Sequence, residues 1–192
     1  MKTQCHNPYL PLWEHIPDGE PHVFEDRLYV FGSHDLENGN EFCEQDYVSW
    51  SAPLDDLSDW RYEGVIYRKD QDPYNVNVLP LYAPDVVQGR DGRYYLYYCI
   101  KFQDSINVAV CDTPAGQYEF YGRVQYKDGQ AMMENQTYDP SVICTEEGNF
   151  LYFGFAPCMI NIPRYKDQDL KGGSVLQLED DMITVKKGPQ VI

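Results

Sequence analysis

Short apolar segments alternate with polar turns along the chain, and the same order of segments occurs three times. Each unit has an aspartate, a short apolar strand, an acidic or glycine-containing turn and then a strand rich in aromatic residues. The units open at Asp18, Asp85 and Asp139, and their aromatic strands cover residues 27–31, 93–98 and 149–153. Two β-prone runs separated by a tight turn indicate a β-hairpin. The pattern therefore predicts three hairpins, each introduced by an aspartate.

Further strand-like segments follow each hairpin. They lie at 47–51 and 60–67 in the first unit, 106–111 and 118–124 in the second, and 173–178 and 182–186 in the third. Units of four strands, repeated about every 50–60 residues, are typical of the blades of a β-propeller. We therefore predict an all-β propeller with blades at about 15–68, 82–126 and 137–188, joined by longer loops at 69–80 and 127–136.

A two-sheet sandwich is the alternative architecture, but it does not require an aspartate at the same place in every unit. A propeller closes with four to eight blades, and three blades leave open strand edges that folded proteins normally cover. We therefore expect residues 1–192 to be the N-terminal part of a larger propeller domain.

Composition narrows the function classes. The net charge of −16 would repel a phosphate backbone, which argues against a nucleic-acid partner. No apolar run approaches the length of about 18–20 residues that a membrane span needs, and the first residues lack a secretory signal, so we expect a cytoplasmic protein. Six cysteines without a C-x-x-C pair indicate free thiols more than disulfides or zinc, and 15% aromatic residues favour strands.

The three repeated aspartates are the candidate chemistry. The innermost strand of each propeller blade faces the central axis, so we expect Asp18, Asp85 and Asp139, at equivalent positions, to converge. Glycoside cleavage needs one carboxyl group to activate water and another to protonate the departing oxygen, and crowding of like charges raises the pKa of one of them. The structural alternative is that each aspartate caps a turn at the start of a strand.

Three stretches also match, in order, the motifs of a known family. The first comprises residues 7–11, 16–24 and 29–35; the second is Tyr82-Ala83-Pro84-Asp85-Val86 with residues 91–97; the third is Tyr138-Asp139-Pro140-Ser141-Val142. They resemble, respectively, the opening, the Trp-Ala-Pro-Asp blade motif and the Asp-Pro blade motif of glycoside hydrolase family 43. The resemblance covers essentially the whole chain.

This resemblance implies a five-bladed propeller that hydrolyses xylose- or arabinose-containing glycans with inversion, without a required cofactor. It implies that Asp18 is the general base, that Asp139 orients the general acid and sets its pKa, and that Asp85 binds substrate hydroxyls. Gly19 stands where the family usually has proline, which makes Glu20 a rival base. The family's general acid is a glutamate of the fourth blade, beyond residue 192, so we expect this chain alone to have little activity. Glu179, in a predicted outer turn, is not a candidate for the acid.

Other side chains near the predicted site are candidate sugar contacts. Aromatic rings stack on sugar faces, although core packing is the alternative for each of them. The candidates are Trp13, Phe31, Tyr82, His34 and Trp50. We expect His22 and His34 to be hydrogen-bonded rather than metal ligands; the resemblance also allows a calcium ion on the propeller axis. A propeller that binds carbohydrate without cleaving it is the alternative function, and a scaffold for protein partners is a third.

Overall fold

A computed structural model of the protein describes residues 7–133, 137–155 and 172–192. Twelve strands form three antiparallel sheets there, each with its four strands in chain order. The first sheet, blade 1, contains β1 (Glu20–Phe24), β2 (Arg27–Phe31), β3 (Tyr47–Pro53) and β4 (Arg61–Tyr67). Blade 2 contains β5 (Leu81–Gln88), β6 (Tyr94–Ile100), β7 (Ile106–Cys111) and β8 (Glu119–Arg123). Blade 3 contains β9 (Ser141–Thr145), β10 (Gly148–Phe155), β11 (Gly172–Leu178) and β12 (Val185–Val191).

Blade 2 lies between the other two blades, and strand β6 shows why. All seven of its residues are buried. Tyr94, Leu96 and Tyr98 belong to a hydrophobic cluster shared with blade 1, whereas Tyr95 and Tyr97 belong to a second cluster shared with blade 3. Because successive residues of a strand point to opposite faces, an unbroken aromatic run is suited to a sheet that is covered on both sides.

The first strands of the three sheets lie next to one another, since β5 contacts both β1 and β9. Four-stranded sheets that face one another in series, with their first strands side by side, form part of a β-propeller. The sandwich alternative does not hold, because three sheets pack in a row rather than two face to face.

The chain differs from the predicted elements at two places. A short 3-10 helix (Lys69–Gln71) lies in the predicted loop after β4. The last strand starts at Val185 rather than near residue 182, because the Asp181 carboxylate accepts the N–H groups of Ile183 and Thr184 and holds a turn there. That strand continues to Val191, beyond the predicted end.

The described cysteines are free thiols, as expected: Cys43 and Cys99 are buried, and Cys111 and Cys144 are half-buried. Cys5 and Cys158 lie outside the described residues. Within the described part of the chain, no helix is long and apolar enough to cross a membrane.

Candidate active site

A residue with the same unusual backbone conformation lies just before the first strand of blades 1 and 3 and near the start of β5 in blade 2. Asp18, Ala83 and Asp139 have φ values of 53°, 38° and 50°. Each lies two residues before a residue paired with the second strand, in the pairs Glu20 with Phe31, Asp85 with Tyr97, and Ser141 with Tyr152. A positive φ is uncommon outside glycine, so three such residues at matching places define one repeated entrance. Asp18 and Asp139 are equivalent, as expected, but Ala83 occupies the third position and Asp85 lies two residues further on.

Asp18 and Asp139 both reach solvent at these entrances. Desolvation raises the pKa of Asp139, and the negative charge of Asp18 raises it further. The two carboxylates are therefore close enough to repel each other, although they are far apart along the chain. Like charges held near one another make one carboxyl group easier to protonate, which is a feature of sites that handle protons.

Asp85 is buried beneath the entrances and joins all three blades. Its side chain is 1% exposed, and its Oδ1 lies 2.6 Å from Nε2 of His22 in β1. The backbone N–H of Val86 donates to Oδ1 at 2.8 Å, and that of Val142 in β9 donates to Oδ2 at 2.6 Å. The 1% exposure of Asp85 does not favour the expected contact with substrate hydroxyls, which stays a prediction.

Glu20 remains a rival to Asp18 at the opening. It is exposed, and its pKa is raised by desolvation first and then by the charges of Asp85 and Asp18, with His22 acting in the opposite direction. Glu20 is thus within electrostatic reach of the carboxylate that we expect to be the base.

Two of the expected sugar contacts are not available to a ligand. Phe31 is fully buried in the cluster between blades 1 and 2, because its position in β2 turns it to the covered face. His34 is 8% exposed, and both ring nitrogens are engaged: Nδ1 with the Asp46 carbonyl oxygen at 2.8 Å and Nε2 with Glu14 Oε1 at 2.9 Å. The expectation of a hydrogen-bonded histidine is confirmed for His34, and its expected substrate contact is corrected.

Trp13 is 62% exposed and packs on Trp50, with ring centroids 6.0 Å apart. The indole N–H of Trp50, which is itself buried, donates to Glu14 Oε2 at 2.7 Å. The loop that carries Trp13 is therefore held by its neighbour Glu14, which also contacts His34. Tyr82 is half-buried at the entrance of blade 2, and its carbonyl oxygen accepts the Tyr47 hydroxyl at 3.0 Å.

One group of side chains in the described residues resembles a cation site. Glu20, His22 and Asp85 each bring one ligand atom within 4.8 Å of the others. Calcium takes six to eight oxygen ligands. Here the His22 nitrogen and one Asp85 oxygen already bond to each other at 2.6 Å, and the remaining Asp85 oxygen accepts the Val142 N–H. The described residues by themselves therefore do not fit a calcium ion.

The sequence analysis did not predict a role for Ser33. This residue is fully buried, two residues after the end of β2 and beside Asp18. Its hydroxyl lies 3.2 Å from Asp18 Oδ2 and accepts the Ala83 N–H at 2.8 Å. The available signal was the polar run Ser33-His34-Asp35 directly after an aromatic strand. Glu179, by contrast, lies after β11 and forms an ion pair with Lys127 at 3.0 Å, in agreement with its expected place in an outer turn.

The fold and the site together define a class of protein: a β-propeller that brings carboxylates from different blades to one opening. The model for glycosyl hydrolases family 43 matches residues 23–192. The chain belongs to this family.

Curated relatives agree with the family. The chain is 52% identical to a xylosidase/arabinosidase of Thermoclostridium stercorarium over 197 residues, which cover 100% of this chain and 40% of the relative. It is 32% identical to a xylosidase/arabinosidase of Bacteroides ovatus, over 80% of this chain and 47% of the relative. The chain thus spans less than half the length of these relatives.

Solved structures share the fold. A family 43 enzyme from Xanthomonas citri, complexed with xylotriose, superposes with a TM-score of 0.72 at 24% identity, covering 96% of this chain and 57% of that chain. A β-xylosidase/α-arabinofuranosidase from a compost microbial metagenome, in complex with xylotriose, gives a TM-score of 0.70 at 23% identity, over 98% and 62% of the two chains. The all-β propeller prediction is confirmed.

Proposed function

We propose that the protein containing this chain is an inverting glycoside hydrolase of the xylosidase or arabinofuranosidase type. The observation that carries the proposal is the pair of matching entrances, which bring Asp18 and Asp139 together; desolvation raises the pKa of Asp139, and the charge of Asp18 raises it further. The relatives named xylosidase/arabinosidase, and the solved relatives complexed with xylotriose, support a xylose- or arabinose-containing glycan as substrate.

In the proposed reaction, the Asp18 carboxylate accepts a proton from a water molecule while that water attacks the anomeric carbon from the face opposite the leaving group. The departing oxygen takes a proton from a second carboxylic acid, which an inverting site holds about 6.5–9.5 Å from the base to leave room for water. We propose that this acid is a glutamate from a part of the protein outside this chain. Asp139 acts on it by charge, orienting it and keeping its proton available.

Family 43 hydrolysis needs no cofactor, and the proposal includes none. A calcium ion on the axis remains a further proposal for the whole protein, and it requires ligands beyond the described residues. Removing divalent ions with a chelator and adding calcium back tests it: recovery of thermal stability on addition supports an axial ion, and an unchanged protein argues against one.

Activity of the whole protein on aryl β-xylosides and aryl α-arabinofuranosides tests the proposed function. Asp18→Asn removes the base but keeps the size of the side chain, so we expect kcat to fall by about 10²–10⁴-fold with sugar binding retained. Glu20→Gln is the matched control and should reduce kcat far less. A larger loss with Glu20→Gln than with Asp18→Asn would make Glu20 the base.

Two further outcomes would contradict the proposal. A whole protein that binds xylo-oligosaccharides but does not cleave either substrate would support the carbohydrate-binding alternative. Full hydrolase activity of the 192-residue chain by itself would contradict the proposed supply of the acid from outside it.

A further inference from the structure

Ser33 stands between the carboxylate of Asp18 and the backbone of the next blade. Its side chain is 0% exposed. Its Oγ lies 3.2 Å from Asp18 Oδ2 in blade 1 and 2.8 Å from the backbone nitrogen of Ala83 in blade 2. One hydroxyl therefore contacts both an expected catalytic group and the entrance of the neighbouring sheet.

The direction of this hydroxyl follows from a count of donors and acceptors. A serine hydroxyl has one hydrogen to donate and two lone pairs that accept. The N–H of Ala83 occupies one lone pair, because a backbone nitrogen can only donate. The only hydrogen of the hydroxyl is then available to the carboxylate, which can only accept when it is ionised.

A buried thiol completes this arrangement. Cys43 is 3% exposed and its side chain hydrogen-bonds with Ser33. Burial raises the pKa of the Cys43 thiol to about 11, so the sulfur keeps its proton at neutral pH. A neutral thiol is a weaker acceptor than a carboxylate, so the Ser33 hydrogen is directed to Asp18 Oδ2.

We propose that Ser33 is a positioning residue for Asp18: its hydrogen bond holds the carboxylate in one orientation and ties that orientation to blade 2. The inference rests on the proposed function, in which Asp18 accepts the proton of the attacking water. A general base works only within hydrogen-bond reach of that proton, and a misplacement of about 1 Å can cost on the order of 10²-fold in rate.

A purely structural role is the competing explanation, and blade 1 contains a matched control for it. Ser49 in β3 is also 0% exposed, and its hydroxyl donates to the Val30 carbonyl oxygen at 3.2 Å. Ser33→Ala and Ser49→Ala thus remove the same group from two equally buried sites of blade 1, but only the first touches Asp18. Both variants should lower the melting temperature by similar amounts.

The experiment measures kcat and KM of the whole protein on an aryl β-xyloside and an aryl α-arabinofuranoside. We expect Ser33→Ala to lower kcat by about 10- to 100-fold with KM changed less than about threefold. Ser49→Ala should change kcat by less than about threefold. Ser33→Cys, which keeps a weak donor of similar size, should fall between wild type and Ser33→Ala. A kcat of Ser33→Ala equal to that of Ser49→Ala would overturn the inference.

A double-mutant cycle separates positioning from general damage. In the Asp18→Asn background, Ser33→Ala should lower the residual kcat by less than about threefold, because the group that it positions is gone. The same 10- to 100-fold loss in both backgrounds would overturn the inference while leaving the proposed function intact. A wild-type protein without activity on either substrate would overturn both.

Discussion

The contacts that join blade 1 to blade 2 and those that join blade 2 to blade 3 share a plan but use different side chains. At the first junction, Ser33 accepts the N–H of Ala83. At the second, the Cys99 thiol hydrogen-bonds with the N–H of Asp139 and donates to the Thr137 carbonyl oxygen at 3.1 Å. Ser33 and Cys99 are equivalent, since each lies two residues after the strand partner that defines its blade's entrance.

The junctions differ in the second contact of the joining side chain, Ser33 at the first junction and Cys99 at the second. Ser33 contacts a carboxylate of its own blade, Asp18, whereas the corresponding residue in the blade of Cys99 is Ala83, which offers no acceptor. In blade 3 the equivalent position is Gly154, where a Cβ would lie 2.5 Å from the Gly172 carbonyl oxygen. The comparison indicates that a strong oxygen donor is present where a carboxylate needs orientation, and that a weak sulfur donor suffices to join backbones.

Among the substitutions at the two junctions, we expect the largest loss of stability from a change at Asp85. This residue takes part in both junctions, through His22 in blade 1 and Val142 in blade 3. Asp85→Asn replaces an acceptor oxygen by an amide that faces protein donors. Because buried donors would lose their partner, we expect the free energy of unfolding of the whole protein to fall by about 2–4 kcal/mol. Chemical denaturation measures this change.

Asp70→Asn is the control for Asp85→Asn. Asp70 is exposed and forms a surface ion pair with Arg68 at 3.0 Å. Such pairs contribute little, so its replacement should change stability by less than about 1 kcal/mol. Equal effects of the two variants would show that Asp85 does not hold the blades together.

We expect a smaller loss of stability when Cys99 at the second junction is replaced by serine, the residue found at the first junction. Cys99→Ser shortens the side chain and places a more polar atom in a fully buried position, so we expect a loss of about 1 kcal/mol in stability. Since Cys99 bonds to the backbone N–H of Asp139 and has no carboxylate of its own blade to orient, kcat should change less than about threefold. A loss of kcat as large as that of Ser33→Ala would end the distinction between the two junctions.

The smallest effect concerns the pH dependence of stability. The pKa of Asp139 is raised in the folded protein, by desolvation and then by Asp18. Its contribution to stability is therefore fully present below the unfolded pKa of about 4 and is lost as pH rises through the raised folded pKa. Asp139→Asn removes this loss, so the melting temperature of the variant, relative to wild type, should increase by at most a few degrees from pH 4 to pH 7.

A parallel measurement on Asp91→Asn checks the direction of the pH dependence, because the pKa of Asp91 is shifted in the opposite direction to that of Asp139. The pKa of Asp91 is lowered, because hydrogen bonds from Arg93 and Tyr95 outweigh the desolvation that acts in the opposite direction. The Asp91 carboxylate therefore stabilises the folded state above the unfolded pKa of about 4, and this contribution is lost as the pH falls through the lower folded pKa; the stability of Asp91→Asn relative to wild type should therefore rise as the pH falls below about 4. Parallel behaviour of the two variants would contradict the assignment of opposite pKa shifts.

The strands and their order could be predicted from the sequence because each blade repeats the same alternation and turn chemistry. Asp18 and Asp139 could be predicted as a pair because their motifs open equivalent hairpins. The different place of Asp85 could not, since a register shift between Tyr82 and Asp85 moves it away from the repeated position. The alternation of apolar and polar residues in a strand also does not show which neighbouring blade covers each face of the sheet. The sequence therefore did not show that Phe31 is buried between blades 1 and 2. Ser33 was missed because its main partner, Ala83, belongs to another blade.

The two buried thiols have a practical consequence. Cys43 hydrogen-bonds with Ser33 at the first junction, and Cys99 lies at the second, with 3% and 0% exposure. A thiol-specific reagent can reach either sulfur only during a transient local opening around it. Their labelling rates, resolved by peptide mass spectrometry, thus measure local opening beside each junction in the native protein, without an introduced probe.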